Sequence, residues 1–304
     1  MNNVIKLNTP ATPTTPSAPS IAASAMLVEL RIRQWTASVL DKSASKQVIA
    51  DHNAAAKVAR VYKDLLGDCA EMRDMQLFAP RARKRHYEMT MPWSDTGLRL
   101  LPTAQYFKYT EVVNQLQIEF YALANKLFGA YQWKIASAQA DLGSLFNPHE
   151  YPTEAELRSK FSLVVSYIPV PQTGDWRINI GKQGNEQVQA HYDQFYRQAL
   201  SDAMGSVWER AHEALGRMSE RLDYAEKGTK KVFRESLVPN VLEIIDLMDV
   251  CNITNDPAMS DAAAALRKAL QGIDTDDLRQ DAGLRRVVKR SVDEVLSSIP
   301  SLDM

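Results

Sequence analysis

YTEVVNQLQIEFYALANKLFGA, residues 109–130, decides the fold. Its side chains Tyr109, Val113, Leu116, Phe120, Leu123, Leu127 and Ala130 are separated by alternating steps of four and three. That is the roughly 3.5-residue repeat of a helix that buries one seam against a neighbour. The pattern predicts a long helix from about 103 to 140. A second stripe, Val188, Tyr192, Phe195, Ala199, Ala203, Val207, Ala211, Leu215, Met218 and Leu222, predicts another over about 185–222. Its rings read as core rather than as a binding platform. The fold class predicted is mainly α: a helical bundle with two long helices as its spine and one small β-hairpin element.

Working outward, Val28, Ile32, Trp35 and Val39 step by four, three and four and predict a helix. Further helices are predicted over about 45–66 and 68–90, with Pro80 as a break or kink in the latter. PWSDTGLRLLP, residues 92–102, reads as a loop, because prolines bracket the turn residues Ser94 to Gly97. Thr153, with Glu156 three residues on, predicts a capping box. Phe161, Leu163, Val165 and Tyr167 share one face of a strand, and Trp176, Ile178 and Ile180 share one face of another. Together they predict the hairpin, near 161–181. Helices follow over about 229–249, 257–271 and 282–298, with Asp256-Pro257 as a start and Gly272 as a stop. Residues 1–24 read as a disordered Pro/Thr/Ser-rich tail, in which Pro10, Pro13, Pro16 and Pro19 recur every third residue, or less simply as a docking peptide. Residues 25–304 read as a single mostly helical domain.

Composition excludes several classes of function. The chain has 304 residues, a net charge of -1 and two cysteines, Cys69 and Cys251, in no motif. Both cysteines read as small buried residues in a reducing compartment. No run approaches the ~18 apolar residues of a membrane span, and the start lacks a signal peptide's pattern. The reading is an intracellular, cytoplasmic protein with no membrane association. There is no phosphate-binding glycine loop and no dinucleotide fingerprint. His52, His86, His149, His191 and His212 fall at no metal-ligand spacing. Asp274, Asp276 and Asp277 resemble the start of a calcium loop, but Leu278 occupies a ligand position, so helix capping is the better account. Glu243, Asp246 and Asp249 share a helix face and read as a solvated acidic surface rather than a divalent-ion site. The sequence therefore predicts no catalytic residue, no metal and no cofactor.

Positive charge is gathered locally. Arg81, Arg83, Lys84 and Arg85 form one cluster, Lys227, Lys230, Lys231 and Arg234 a second, and Arg285, Arg286, Lys289 and Arg290 a third. None of these short stretches contains a carboxylate. Each is a solvated face or a contact for an anion, and three together favour an anionic polymer. Tyr87, Trp93, Tyr106, Phe107 and Tyr109 follow the first cluster. Cations beside rings suit single-stranded nucleic acid, whose phosphates pair and whose bases stack. Tyr87 and Trp93 are the stacking candidates, although Trp93 could instead cap the helix bundle.

LVELRIRQWTASVLDK, PWSDTGLRLLP and LFNPHEYPTEAELRSKF resemble segments of a phage- and bacterium-borne family whose members mostly lack an assigned function. The chain is also similar to phage-encoded single-stranded-DNA-binding RNA polymerase cofactors with a largely helical fold. That likeness implies a non-catalytic, non-sequence-specific single-stranded-DNA-binding protein. It would act in phage transcription or replication in an infected host, with a phage RNA polymerase as partner. Homo-oligomerisation is left open. A structural or adaptor protein, docking an ATPase or a particle component through its long helices, is the alternative.

Overall fold

The computed structural model describes residues 21–171, 182–223 and 234–300. In chain order these form β1 (Ala25–Arg33), β2 (Ser38–Asp41), α1 (Lys42–Asp51), β3 (Val61–Asp64), α2 (Ala70–Glu88), β4 (Met91–Pro92) and β5 (Arg99–Pro102). The chain continues through α3 (Tyr106–Leu142), α4 (Glu154–Ser159), β6 (Ser162–Pro169), α5 (Lys182–Leu222) and α6 (Leu237–Cys251) to α7 (Pro257–Ala269), α8 (Thr275–Gln280) and α9 (Ala282–Ser298). The mainly α class holds. The single hairpin does not: among the described residues there are two sheets, one in the order β4-β5-β1-β6 and one pairing β2 with β3. The chain divides into two compact units. Residues 28–90 and 105–167 form the first, and the described residues before 28, from 91 to 104 and from 168 onward belong to the second.

In the first unit α3, 37 residues long, buries Tyr109, Val113, Leu116, Phe120, Leu127 and Ala130 from the expected seam, with Leu123 half-buried. The seam meets α2, whose Met72, Met75, Phe78 and Ala82 recur at helical spacing, and Phe78 and Phe120 meet at 5.6 Å. Pro80 lies on the exposed side of α2, and the helix runs through it without a break. Leu157, Phe161 and Leu163 complete this core. Thr153 and Glu156 form the expected capping box at the start of α4.

Residues 25–41 overturn the expected first helix. Val28, Leu30 and Ile32 alternate with Glu29, Arg31 and Arg33, and this period of two prevails over the three-and-four stripe, giving β1. The helix expected over 45–66 begins at Lys42 and ends at Asp51. Left-handed Asn53 and Lys57 follow it, and β3 then pairs antiparallel with β2, Ser38 opposite Asp64. The loop expected at 92–102 is a short hairpin, with Met91 opposite Leu100 and the turn residues Ser94 to Gly97 between its strands.

Lys63 of β3 is buried, and its ammonium lies 2.8 Å from Glu150, 2.8 Å from the Leu145 carbonyl and 3.6 Å from Asp41. A buried lysine persists where such partners replace water.

In the second unit α5, 41 residues long, buries Ala199, Ala203, Val207, Ala211, Leu215, Met218 and Leu222 against α6 and α9. The two long helices therefore serve separate units rather than one shared spine. Asp256 caps α7 with Pro257 at its first position, and Gly272 sits at φ +70° beyond its end. Asp274 and Asp277 form a capping box on α8, as the aspartate spacing suggested. Residues 229–233 of the expected 229–249 helix lie outside the described residues, and the helix begins at Leu237. Ile21 is buried, and the Ser24 carbonyl accepts from the Thr103 amide at 2.9 Å, so residues 21–24 belong to the folded unit and not to the tail. The rest of that tail, residues 1–20, and the strand expected at 176–180 lie outside the described residues.

Candidate nucleic-acid interface

Arg81, Arg83, Lys84 and Arg85 are all exposed on the last turns of α2, where cations also oppose the negative end of the helix dipole. The fold supplies carboxylates that the short stretch lacks. Arg81 pairs with Glu119 of α3 and lies 5.6 Å from the Phe78 ring centre. Glu88, one turn on, lies 3.2 Å from Arg85 and 3.9 Å from Lys84. Arg83 has no carboxylate within ion-pair distance among the described residues. Exposed pairs of this kind contribute only about 0–1 kcal/mol, so a phosphate can displace them.

Trp93 does not offer a stacking face. It is 6% exposed, in the core of the second unit, with its ring edge-on to Tyr196 at 5.6 Å and to Phe195 at 6.3 Å. The alternative weighed for it, a cap on the helical core, is what the structure has. The reason is the hairpin: β4 carries residues 91 and 92 onto α5, and Trp93 follows them inward.

Tyr87 is half exposed, as a stacking candidate requires, and it opens a continuous series of ring contacts. It meets His86 at 5.7 Å, and His86 meets Tyr109 at 5.8 Å. Tyr109 meets Tyr167 at 6.4 Å, Tyr167 meets Tyr106 at 5.7 Å, and Tyr106 meets Phe107 at 5.3 Å. The middle of the series is buried and fixed: His86 Nδ1 and the Tyr109 hydroxyl lie 2.9 Å apart. Burial, with the Tyr167 phenol beside it, pushes the Tyr109 phenol well above its ordinary range, so it stays neutral. The outer rings are open, Phe107 at 83% and Tyr167 at 40% exposure. Phe107 and Tyr106 stood among the rings following the first cluster in the sequence. Tyr167 shares a strand face with Phe161, Leu163 and Val165 in the sequence, and its exposure follows from its place late in β6, where burial fades. Lys108, next to Phe107, is also exposed.

The third cluster divides. Arg285 is buried, and its guanidinium donates to the carbonyls of Leu278 at 3.0 Å and Arg279 at 3.3 Å, closing the end of α8. It is a structural residue and no phosphate contact, because its charge is spent on carbonyls that the ending helix leaves unbonded. Lys289 lies 2.7 Å from Asp293 and donates to Ser219 Oγ at 3.2 Å. The carboxylate of Asp293 holds the Lys289 ammonium above its usual range. Arg286 and Arg290 are exposed and line a shallow hollow with Lys289, Asp293 and Glu294. In the second cluster Arg234 is exposed, whereas Lys227, Lys230 and Lys231 lie outside the described residues. The first cluster belongs to the first unit, and the described members of the other two belong to the second.

Other candidate chemistry is accounted for by pairing and burial. Arg267 lies 3.0 Å from Asp246 and 2.8 Å from Asp249, so those two carboxylates of the α6 acidic face are ion-paired. No group of metal-ligating side chains gathers among the described residues. Both cysteines are buried free thiols, as expected, and burial pushes Cys251 up to about 12. No helix among the described residues is long and apolar enough to cross a membrane. Compared with protein-family models, with curated proteins and with solved structures, the chain matches none of them.

Proposed function

We propose that the protein binds single-stranded DNA without sequence preference, through the face of the first unit that carries the end of α2, the start of α3 and Tyr167 of β6. The observation that carries this reading is the ring series from Tyr87 to Phe107 beside Arg83. Its core is fixed by the contact between His86 and Tyr109, and its outer rings are open to solvent. Rings held in place by neighbours lose little freedom when a base stacks on them, and cations alongside track the phosphates. The reading is non-catalytic. A role in presenting opened template to a phage RNA polymerase rests on the sequence resemblance alone.

Fluorescence anisotropy with a labelled single-stranded oligonucleotide tests it. Phe107→Ala and Tyr167→Ala should each weaken binding by about 1–3 kcal/mol. Phe107 is so exposed that its loss should leave the melting temperature unchanged. Wild-type affinity in both variants would remove this face from the site. The adaptor reading has its own support: Leu77 of α2 and Ile118 of α3 are 66% and 72% exposed, which suits a protein partner. A protein of that kind would show no saturable oligonucleotide binding in the same assay.

A further inference from the structure

A hollow on the first unit, away from the α2 cluster in sequence, is lined by Ile32, Arg33, Gln34, Trp35, Thr36 and Lys160. Arg33 ends β1, and Lys160 caps the C-terminal end of α4. The cations around them are neutralised. Arg31 lies 3.6 Å from Glu29 and donates to Ser166 Oγ at 3.1 Å, and Arg158 lies 2.7 Å from Glu154. Arg33 and Lys160 differ: both are exposed, and neither has an ion-pair partner among the described residues. Glu156 acts on Lys160 at longer range, but its carboxylate is held in the capping box, accepting from the Thr153 amide and hydroxyl, each at 2.8 Å.

The same hollow is lined by a positioned indole. Trp35 is half-buried and meets Tyr131 edge-on at 6.0 Å. Tyr131 is itself buried, its hydroxyl donating to the Pro152 carbonyl at 2.8 Å. The loop carrying Trp35 is held in a costly shape. Ala37 is fully buried at φ +53°, the left-handed region, and its carbonyl accepts from the Leu65 amide at 2.7 Å. That conformation is unfavourable for an alanine, and such strain persists where the surroundings enforce it.

We propose that this hollow binds a 5′-nucleotide, with Arg33 and Lys160 on the phosphate and the Trp35 indole against the base. Two unneutralised cations select a phosphate, the guanidinium by paired donors and the ammonium as a point charge. An indole is superfluous for a bare anion but offers a π-face to a base. Gln34 and Thr36 add polar groups to the lining. The inference does not rest on the single-strand reading, since it uses none of the same residues. The nucleotide is either free or the phosphorylated end of a strand.

Isothermal titration with adenosine 5′-monophosphate tests the site. Saturable binding is expected, weakened about tenfold or more in Arg33→Ala and in Lys160→Ala. Both side chains are exposed, so melting temperatures should match wild type. Ribose 5-phosphate should bind at least about tenfold more weakly than the nucleotide, because it has no base to stack. Short oligothymidylates identify the source. Competition only by the 5′-phosphorylated form assigns a strand end, and equal failure of the phosphorylated and hydroxyl forms to compete assigns a free nucleotide. Absence of saturable binding, unchanged affinity in Arg33→Ala, or equal affinity for ribose 5-phosphate would overturn the proposal. Phe107→Ala should leave nucleotide binding untouched, so failure of the single-strand face and failure of this hollow are read separately.

Discussion

Tyr87 and Trp93 are both aromatic and lie six positions apart, yet one is half open to water and the other is enclosed. Sequence shows that both rings are near cations. It does not show that β4 turns Trp93 onto Tyr196 and Phe195. Trp93→Ala should therefore act on stability. A loss of about 3–5 kcal/mol is expected from the vacated core, read as a lowered denaturation midpoint. Its affinity for a single-stranded oligonucleotide, measured under folding conditions, should stay at the wild-type value. Weakened binding with an unchanged midpoint would return Trp93 to the interface. Arg285 teaches the same lesson for charge. It belongs to a basic run in sequence, but its hydrogen bonds to Leu278 and Arg279 make it part of the junction between α8 and α9.

Elements were legible where periodicity had no rival. The bounds of α9 match the sequence expectation, and the seam of α3 and the capping of α7 are as expected. Where two periods competed, as at 25–41, the strand prevailed because its alternation suits pairing with neighbours that the local sequence does not contain. Helix ends also set a pH dependence. Asp281 accepts from the amides of Leu284 at 3.0 Å and Gly283 at 2.7 Å. The hydrogen bond from Leu284, then that from Gly283, holds its carboxyl below the usual range. Asp41 is lowered likewise, first by the Ala44 amide, and Glu156 first by the backbone of Thr153. A group depressed in the folded state contributes stability that is present above its unfolded pKa and lost as pH falls through the folded one. Thermal stability should thus hold from neutral pH down to the ordinary carboxylate range near 4 and decline below it. Asp281→Asn keeps a capping side chain without the charge, so its melting temperature should fall less steeply with acid. Parallel acid profiles for the variant and wild type would refute that role for Asp281.

At the scale of the whole molecule, a net charge of -1 gives no long-range pull on DNA, so any attraction must come from local faces. The α2 face is partly neutralised by Glu88 and Glu119. The salt dependence of oligonucleotide binding should therefore be modest and unevenly carried. Arg83→Ala should reduce the slope of log affinity against log salt by about 0.7, the contribution of one phosphate on a single strand. Arg85→Ala should reduce it less, because Glu88 already offsets that charge. Equal slopes for wild type and Arg83→Ala would take Arg83 off the phosphates. The loss should be alike across base sequences, since phosphates carry no base information.

The sequence by itself determined the helical class, the two long helices, the caps at Thr153, Asp256 and Asp274, the buried free cysteines and the places where cations gather. Each of these depends on residues three or four apart, or on a side chain and the amides beside it. Only the tertiary structure decided that 25–33 and 38–41 are strands and that the long helices belong to separate units. It also placed Trp93 and Arg285 inside while Phe107 and Tyr167 stay outside, and it lined one hollow with Trp35, Arg33 and Lys160, neither cation having an ion-pair partner among the described residues. Those outcomes depend on neighbours tens of residues away, and burial and ion pairing are properties of the assembled surface that no local period encodes.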